Sequence, residues 1–185
     1  MRPIFLIGFM CSGKTTLGQA LARRLGMRFI DLDQAIEERA GMSVAEIFHT
    51  LGEDRFRSLE AEAVDEMCRL TDTIVATGGG TPCRPGMMQR LNAAGLTVAL
   101  HAAPGRLYPR LMLGRQSRPL LAEARDEEAL RGIVEPLLSE RQQFYDMAAV
   151  RFDSSLLETE EEIAASVDRF IATPAFKAEY PNQQT

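Results

Sequence analysis

Apolar and polar positions change rhythm several times along this chain. Ile4-Phe5-Leu6-Ile7 is an unbroken apolar run of strand length, which suits a strand buried on both faces. Helical spacing follows, because Leu17, Leu21 and Leu25 recur every fourth residue within Thr16 to Leu25 and share one face. Gly26 ends that helix, and Met27 to Leu32 predicts a second strand that closes on Asp31-Leu32-Asp33. Asp33 suits the cap of a short helix running to about Ala40. Ser43-Val44-Ala45-Glu46 is a capping-box pattern opening a helix to Leu51. Phe56, Leu59, Ala63, Met67 and Leu70 then place a longer helix over Asp54 to Leu70.

Thr73 to Thr77 predicts a third strand that runs straight into Gly78-Gly79-Gly80. Pro85 to Ala94 reads as helix, Leu96 to Leu100 as a fourth strand, and Gly105 to Leu113 as helix. Gly114 to Leu121 is polar, basic and interrupted by Pro119, the composition of a mobile loop. A long helix over Asp126 to Ala148 and a short strand over Val150 to Phe152 come next. Thr159-Glu160-Glu161-Glu162 opens a last helix to about Ala172, and Pro174 to Thr185 reads as a peripheral or disordered tail. Strands alternating with helices predict an α/β fold, a three-layer α/β/α sandwich around a five-stranded parallel sheet. One domain spans 1–173, and the surplus helices between the second and third strands predict an inserted substrate-binding flap at about 33–61.

Gly8-Phe9-Met10-Cys11-Ser12-Gly13-Lys14-Thr15 fits G-x-x-x-x-G-K-[ST] between a predicted strand and a predicted helix. That context makes it a phosphate-binding loop. Glycine lets the backbone turn tightly and approach an anion, and the N–H groups of Cys11, Ser12, Gly13 and Thr16 are placed to point at it. Lys14 brings a mobile positive charge to the outer phosphates, and the Thr15 hydroxyl suits Mg²⁺. In a parallel sheet ligands bind at the carboxyl ends of strands, where Gly8, Asp31, Asp33 and the Gly78 triplet all fall.

Composition narrows the class. With 45% hydrophobic and 25% charged residues the chain is an ordinary globular protein. A net charge of −5 argues against general binding to nucleic acid or a membrane surface. It also means that cations must be concentrated locally if a polyanion binds. Cys11, Cys68 and Cys83 cannot all pair with one another, no apolar run approaches the ~18 residues of a membrane span, and no leader precedes the first strand. A cytoplasmic protein with reduced thiols is expected. His49 and His101 lie apart from the cysteines and give no metal-ligand spacing.

The phosphate loop does not separate a kinase from a switch or a motor, but other motifs do. A guanine-reading Asn-Lys-x-Asp and a transporter-type Leu-Ser-Gly-Gly-Gln are both absent. No carboxylate ends the third strand, so the metal-binding carboxylate must come from elsewhere, and Asp31 is the best placed, with a turn-capping role as the alternative. Arg141 lies three and four residues after Leu138 and Leu137, close to the inward face of its helix, where it needs an anionic ligand or an internal carboxylate. Arg57 alone would read as a surface partner of Glu60 or Asp54.

The Leu-Ile-Gly-Phe-Met opening with Gly-Lys-Thr-Thr, Asp31-Leu32-Asp33, Phe56-Arg57 followed by Glu60, Gly78-Gly79-Gly80, Arg118-Pro119-Leu120-Leu121, and Glu140-Arg141 with Tyr145 occur in one order. Together they resemble the shikimate kinase family, small P-loop kinases of the nucleoside-monophosphate-kinase type. The resemblance implies Mg²⁺-dependent transfer of the ATP γ-phosphoryl group to the 3-hydroxyl of shikimate, in aromatic amino-acid biosynthesis, by a monomer. It implies that Arg57 and Arg141 grip the shikimate carboxylate, that Asp33 binds its hydroxyls and accepts the proton, and that Gly78, Gly79 and Gly80 bring bare backbone against the ring. Lys14 and Arg118 then contact the transferring group, Arg118 from a lid at about 112–124, while Thr15 and Asp31 hold the metal and Arg151 lies near the adenine. Two positions depart from the pattern. Cys11 stands where the family usually has Gly, which a negative φ would tolerate, and Gln143 replaces a frequent proline. A related kinase for a polyol acid such as gluconate, or an idle nucleotide-binding module, are the alternatives; the presence of Lys14, Asp33 and Arg118 speaks against the idle module.

Overall fold

In the computed structural model, which describes residues 1–114, 119–121 and 124–183, β1 (Ile4–Gly8) is the middle strand of a five-stranded sheet. The order is β2 (Arg28–Asp31), β3 (Thr73–Ala76), β1, β4 (Leu96–His101), β5 (Val150–Asp153), and every pairing is parallel. Because successive side chains of a strand point to opposite faces, the apolar run of β1 feeds two cores at once. Ile4 and Leu6 join Leu17 and Leu21 of α1 (Lys14–Leu25) and Phe170 of α7 (Glu160–Ile171). Phe5 and Ile7 face the other way, into a core closed by α2 (Leu32–Ala40), α3 (Val44–Met67), α4 (Met87–Ala94), α5 (Pro104–Leu113) and α6 (Glu127–Tyr145). The expected three-layer α/β/α architecture is therefore the one that forms.

Several boundaries differ from expectation for local reasons. α2 is capped by Asp31, not Asp33: Asp31 Oδ1 accepts from the amides of Asp33 at 3.1 Å and Gln34 at 3.5 Å. Asp33 therefore falls in the first turn, its carboxylate released from capping. The two helices expected over 43–70 do form: the run α3 breaks at Gly52, whose φ 80° and ψ 169° are not helical, between one and the other. The Ser43 capping box forms in full, with Glu46 Oε2 accepting from the Ser43 amide at 2.8 Å. At Thr159 only half forms, since Glu162 turns its carboxylate to the Glu158 amide at 2.9 Å.

The tail is the largest correction. Pro174 starts a helix instead of preventing one, because a first-turn residue needs no amide partner and the Thr173 side chain caps it by accepting from the Phe176 amide. This α8 (Pro174–Glu179) buries Phe176 completely against Phe170, ring centroids 5.4 Å apart, and the Tyr180 hydroxyl donates to the Arg2 carbonyl at 3.0 Å. The segment is a fastened part of the α1/α7 layer, at least through residue 183. None of the described helices is long and apolar enough to cross a membrane.

Phe176→Ala is accordingly expected to destabilise the protein by about 3–5 kcal/mol, read as a lower urea midpoint at an unchanged slope. A shift below about 0.5 kcal/mol, the usual size for surface substitutions, would return the tail to the periphery.

Candidate active site

The phosphate loop leaves β1 at Gly8 and enters α1 at Gly13. Their φ angles are 139° and 93°, and a Cβ on Gly8 would also come within 2.5 Å of the Leu100 carbonyl oxygen. Both positions exclude an ordinary side chain. Gly13 caps α1 without any side-chain hydrogen bond, so the amides of the first turn stay open to an anion. Lys14 Nζ donates to the Gly8 and Phe9 carbonyls at 2.9 Å each, which holds its charge over the loop. Ser12 is buried and its amide is spent on the Phe9 carbonyl. Thr15 Oγ1 donates to Asp31 Oδ2 at 3.1 Å, uniting a hydroxyl and a carboxylate from α1 and β2. Lys14, Thr15, Thr16, Asp31 and Asp33 line an open cleft of about 400 Å³ whose outer end is walled by Arg110 and Leu157.

The Gly78 triplet leaves the end of β3 beside this cleft, and the three polar side chains expected around it converge there. A Cβ on Gly78 would lie 2.9 Å from Asp33 Oδ1; one on Gly79, 3.5 Å from Arg141 Nη1; one on Gly80, 4.0 Å from Arg57 Nη1. Three successive glycines thus abut one carboxylate and two guanidinium groups. Arg57 Nη1 donates to Glu60 Oε2 at 3.0 Å, and its Nη2 to Glu53 Oε1 at 3.0 Å. Glu60, a carboxylate only 3% exposed, also accepts from Thr81 Oγ1 at 2.6 Å, which ties Arg57 to the far side of the glycine turn. The Arg57 guanidinium lies 5.2 Å from the Phe56 ring and 5.8 Å from that of Phe48. Arg141 lies over the Phe9 ring at 5.7 Å and makes no ion pair with any described residue.

Asp33 sits where these groups meet. Burial pushes its pKa up to about 6, the neighbouring charge of Asp31 adds to the rise, Lys14 opposes it, and Glu60 and Glu37 contribute smaller increases. A carboxylate with a pKa near 6 can hold or release a proton close to neutral pH, as a general base must.

A family model described as shikimate kinase matches residues 10–172. The chain belongs to the shikimate kinase family. A curated shikimate kinase from Phocaeicola vulgatus is 46% identical over 168 residues, covering 91% of this chain and 95% of the relative. Among solved structures, a shikimate kinase from Bacteroides thetaiotaomicron superposes with a TM-score of 0.84 at 37% identity, covering 92% of this chain and 96% of that one. A shikimate kinase from Acinetobacter baumannii in complex with shikimate gives 0.75 at 28% identity, covering 92% of each chain.

Within this shikimate kinase, two expected residues are differently situated. Arg151 does not line the cleft: it lies exposed on β5, beside a separate small cavity next to His101 and Asp146. Arg118 lies outside the described residues. Arg110, which the sequence reading passed over, walls the cleft instead, donating to Glu158 at 2.7 Å and to the Ser155 carbonyl at 2.8 Å. Its only sequence signal is a place one helical face away from the buried Leu107 and Leu111, which any surface arginine would share. Cys11 adopts φ 60°, not the negative angle a side chain prefers. This is why glycine suits the position, and the left-handed conformation costs a non-glycine residue roughly 1–2 kcal/mol. The Cys11 thiol faces the cleft and lies 3.5 Å from the Arg110 carbonyl.

Two outcomes follow from this geometry. Asp33 binds its proton more tightly folded than unfolded, so the native state takes up protons between about pH 4 and pH 6. The resulting stabilisation is complete below the unfolded pKa of ~4 and lost as pH rises through about 6. Asp33→Asn should therefore raise the melting temperature at pH 7.5, by an amount equivalent to about 2–3 kcal/mol, and the gain should vanish below pH 4. A gain that persists at pH 4 would mean that Asp33 ionisation is not its source. The second concerns thiols. Burial raises the pKa of Cys68 and Cys83 and makes both poor nucleophiles, so N-ethylmaleimide should inactivate the enzyme through Cys11. Saturating ATP should slow inactivation about tenfold, and Cys11→Gly should abolish it; equal rates with and without ATP would exclude Cys11 as the target.

Proposed function

We infer that this chain is an ATP-dependent shikimate kinase, transferring the γ-phosphoryl group of ATP to the 3-hydroxyl of shikimate and releasing ADP and shikimate 3-phosphate. The observation that carries the reading is the convergence of Asp33, Arg141 and Arg57 on three successive glycines, beside the cleft that holds Lys14. One carboxylate-bearing ring fits that set: guanidinium forks for its carboxylate, a carboxylate for its hydroxyls, and bare backbone against its face.

In this mechanism the loop amides and Lys14 hold the β- and γ-phosphates. Arg141 and Arg57 fix the shikimate carboxylate and so aim the opposite hydroxyl at phosphorus. As that oxygen bonds to the γ-phosphorus, its proton passes to an Asp33 oxygen and the bond to the ADP oxygen breaks. With a pKa of about 6, Asp33 is mostly ionised at neutral pH and so able to accept that proton. Thr15 and Asp31 fit Mg²⁺, since their hydroxyl and carboxylate oxygens already meet at 3.1 Å and both are hard ligands. When bound, the ion neutralises charge on the phosphate oxygens. Arg118 is assigned the clamp on the transferring group, and 112–124 the lid that excludes water. The flap is 33–61, which brings Asp33, Phe48 and Arg57 to the acceptor. A monomer is the working unit on this reading. Three free thiols support a reducing compartment such as the cytoplasm.

The test is ADP release with shikimate, gluconate or no acceptor, in the native enzyme and in Asp33→Asn. Release should require shikimate, and Asp33→Asn should lose turnover by about 10²–10⁴-fold with ATP affinity unchanged. A response to gluconate alone would overturn the acceptor, and undiminished kcat in the variant would remove Asp33 from its role.

A further inference from the structure

Tyr145 closes α6 one turn beyond Arg141, its ring only 5% exposed within the α2–α6 core. Packing there would be served as well by phenylalanine, so the hydroxyl needs its own explanation. It donates to the Gly79 carbonyl oxygen at 2.8 Å. The Arg141 guanidinium, four residues back on the same face of the helix, is near enough for its charge to act on the phenol. Gly79 in turn faces that guanidinium, with a Cβ there falling 3.5 Å from Nη1. Phenol and guanidinium therefore form a triangle joined at the glycine turn. Arg141 makes no ion pair among the described residues, and the Phe9 ring, 5.7 Å away, and the Gly79 turn are what flank its fork.

We propose that Tyr145 is a positioning residue for the acceptor: its hydroxyl holds the Gly79 turn against the Arg141 guanidinium, which keeps that fork in the orientation that receives the acceptor's carboxylate. The proposal rests on the reading of Arg141 as a carboxylate ligand. Its energetic logic is preorganisation. An arginine loses rotamer freedom when it is fixed on a ligand, and a fork already held in place loses less at the moment of binding. Removing the hydroxyl also leaves the Gly79 carbonyl without its partner, which loosens the turn that carries the acceptor. The contact with the carboxylate is the same in ground state and transition state, so the loss belongs in KM and not in kcat. Gly79 also faces the phosphate loop, with a Cβ there falling 3.5 Å from the Met10 amide, but the Tyr145 hydroxyl bonds no residue of that loop, so the ATP site should register the change far less than the acceptor site.

Tyr145→Phe tests this with the ring's packing retained. The KM for shikimate should rise about 3- to 10-fold, the usual worth of one neutral hydrogen bond, with kcat and the KM for ATP within about twofold. Val134→Ala removes buried volume from the same helix without touching the triangle; it should lower the melting temperature and leave the shikimate KM unchanged. If the hydroxyl acts through Arg141, the double variant Arg141→Lys with Tyr145→Phe should show a shikimate KM no more than about twofold above Arg141→Lys alone. An unaltered shikimate KM in Tyr145→Phe overturns the proposal, and so do effects that multiply in the double variant or a KM for ATP that rises in parallel. Failure of the native enzyme to use shikimate at all would instead fail the functional reading; native turnover with an unaffected Tyr145→Phe fails only the role of Tyr145.

Discussion

Two anionic substrates must lie side by side, next to a carboxylate, in a chain whose net charge is −5. Like charges 4 Å apart repel by about 4 kcal/mol at the effective dielectric of a protein surface, more than most single contacts contribute. The surroundings of the cleft are organised by that repulsion. Asp31, Glu60 and Glu37 all raise the pKa of Asp33, on top of the larger effect of burial, and only Lys14 works against them. The phosphate loop meets its anion largely with amides, which attract negative charge without adding a full positive charge that would need its own counter-ion. On the proposed mechanism the carboxylate surplus has a use, because it keeps Asp33 basic enough to take a proton.

The parallel sheet makes this crowding possible. Both of its faces are covered by helices, which leaves only the strand ends for chemistry. In the order β2–β3–β1, the ends of three strands that are far apart in sequence become neighbours: Asp31 pairs with Ala76 in register, and Leu6 with Ala76 on the other side. Gly8, Asp31 and Thr77 follow from that register within one or two residues. The Thr15–Asp31 contact at 3.1 Å is its direct product. A slip of one residue in β2 would turn Asp31 to the opposite face and undo it.

How far the sequence discloses this depends on whether a feature is local or tertiary. The phosphate loop is legible because glycine, lysine and threonine spacing is set by the loop's own backbone. The strands are legible because β1, β3 and β4 are buried on both faces and so read as apolar runs. The Gly78 triplet is conspicuous because three glycines after a strand have no packing purpose. Asp33 was mistaken for a cap because either aspartate of Asp31-Leu32-Asp33 can accept a helix-start amide, and which one does depends on where β2 ends. The tail was misread because Pro and polar residues describe its exposed side, whereas Phe176 and Tyr180 describe the buried one, and six residues carry too little period to show it. Arg110 carries no signal of its own, and Glu60 and Tyr145, though they belong to the motif set, show nothing in sequence of what they touch. Each acts through partners distant in sequence or through a single atom, and an arginine or glutamate on a helix carries no mark of the face it will occupy.

The two arginines of the acceptor pocket, similar in sequence terms, are energetically different. Arg57 already has two carboxylate partners at 3.0 Å, one of them the buried Glu60. When it meets an incoming carboxylate it shares or exchanges partners, and such exchanges return little net free energy. Arg141 has an aromatic face, but no carboxylate among the described residues. A partly buried guanidinium with no counter-ion gains the full charge-assisted hydrogen bond, roughly 1.5–3 kcal/mol, when an anion arrives. On this account Arg141 supplies most of the attraction for the acceptor's carboxylate. Arg57, held by Glu60 and through it by Thr81, supplies its direction.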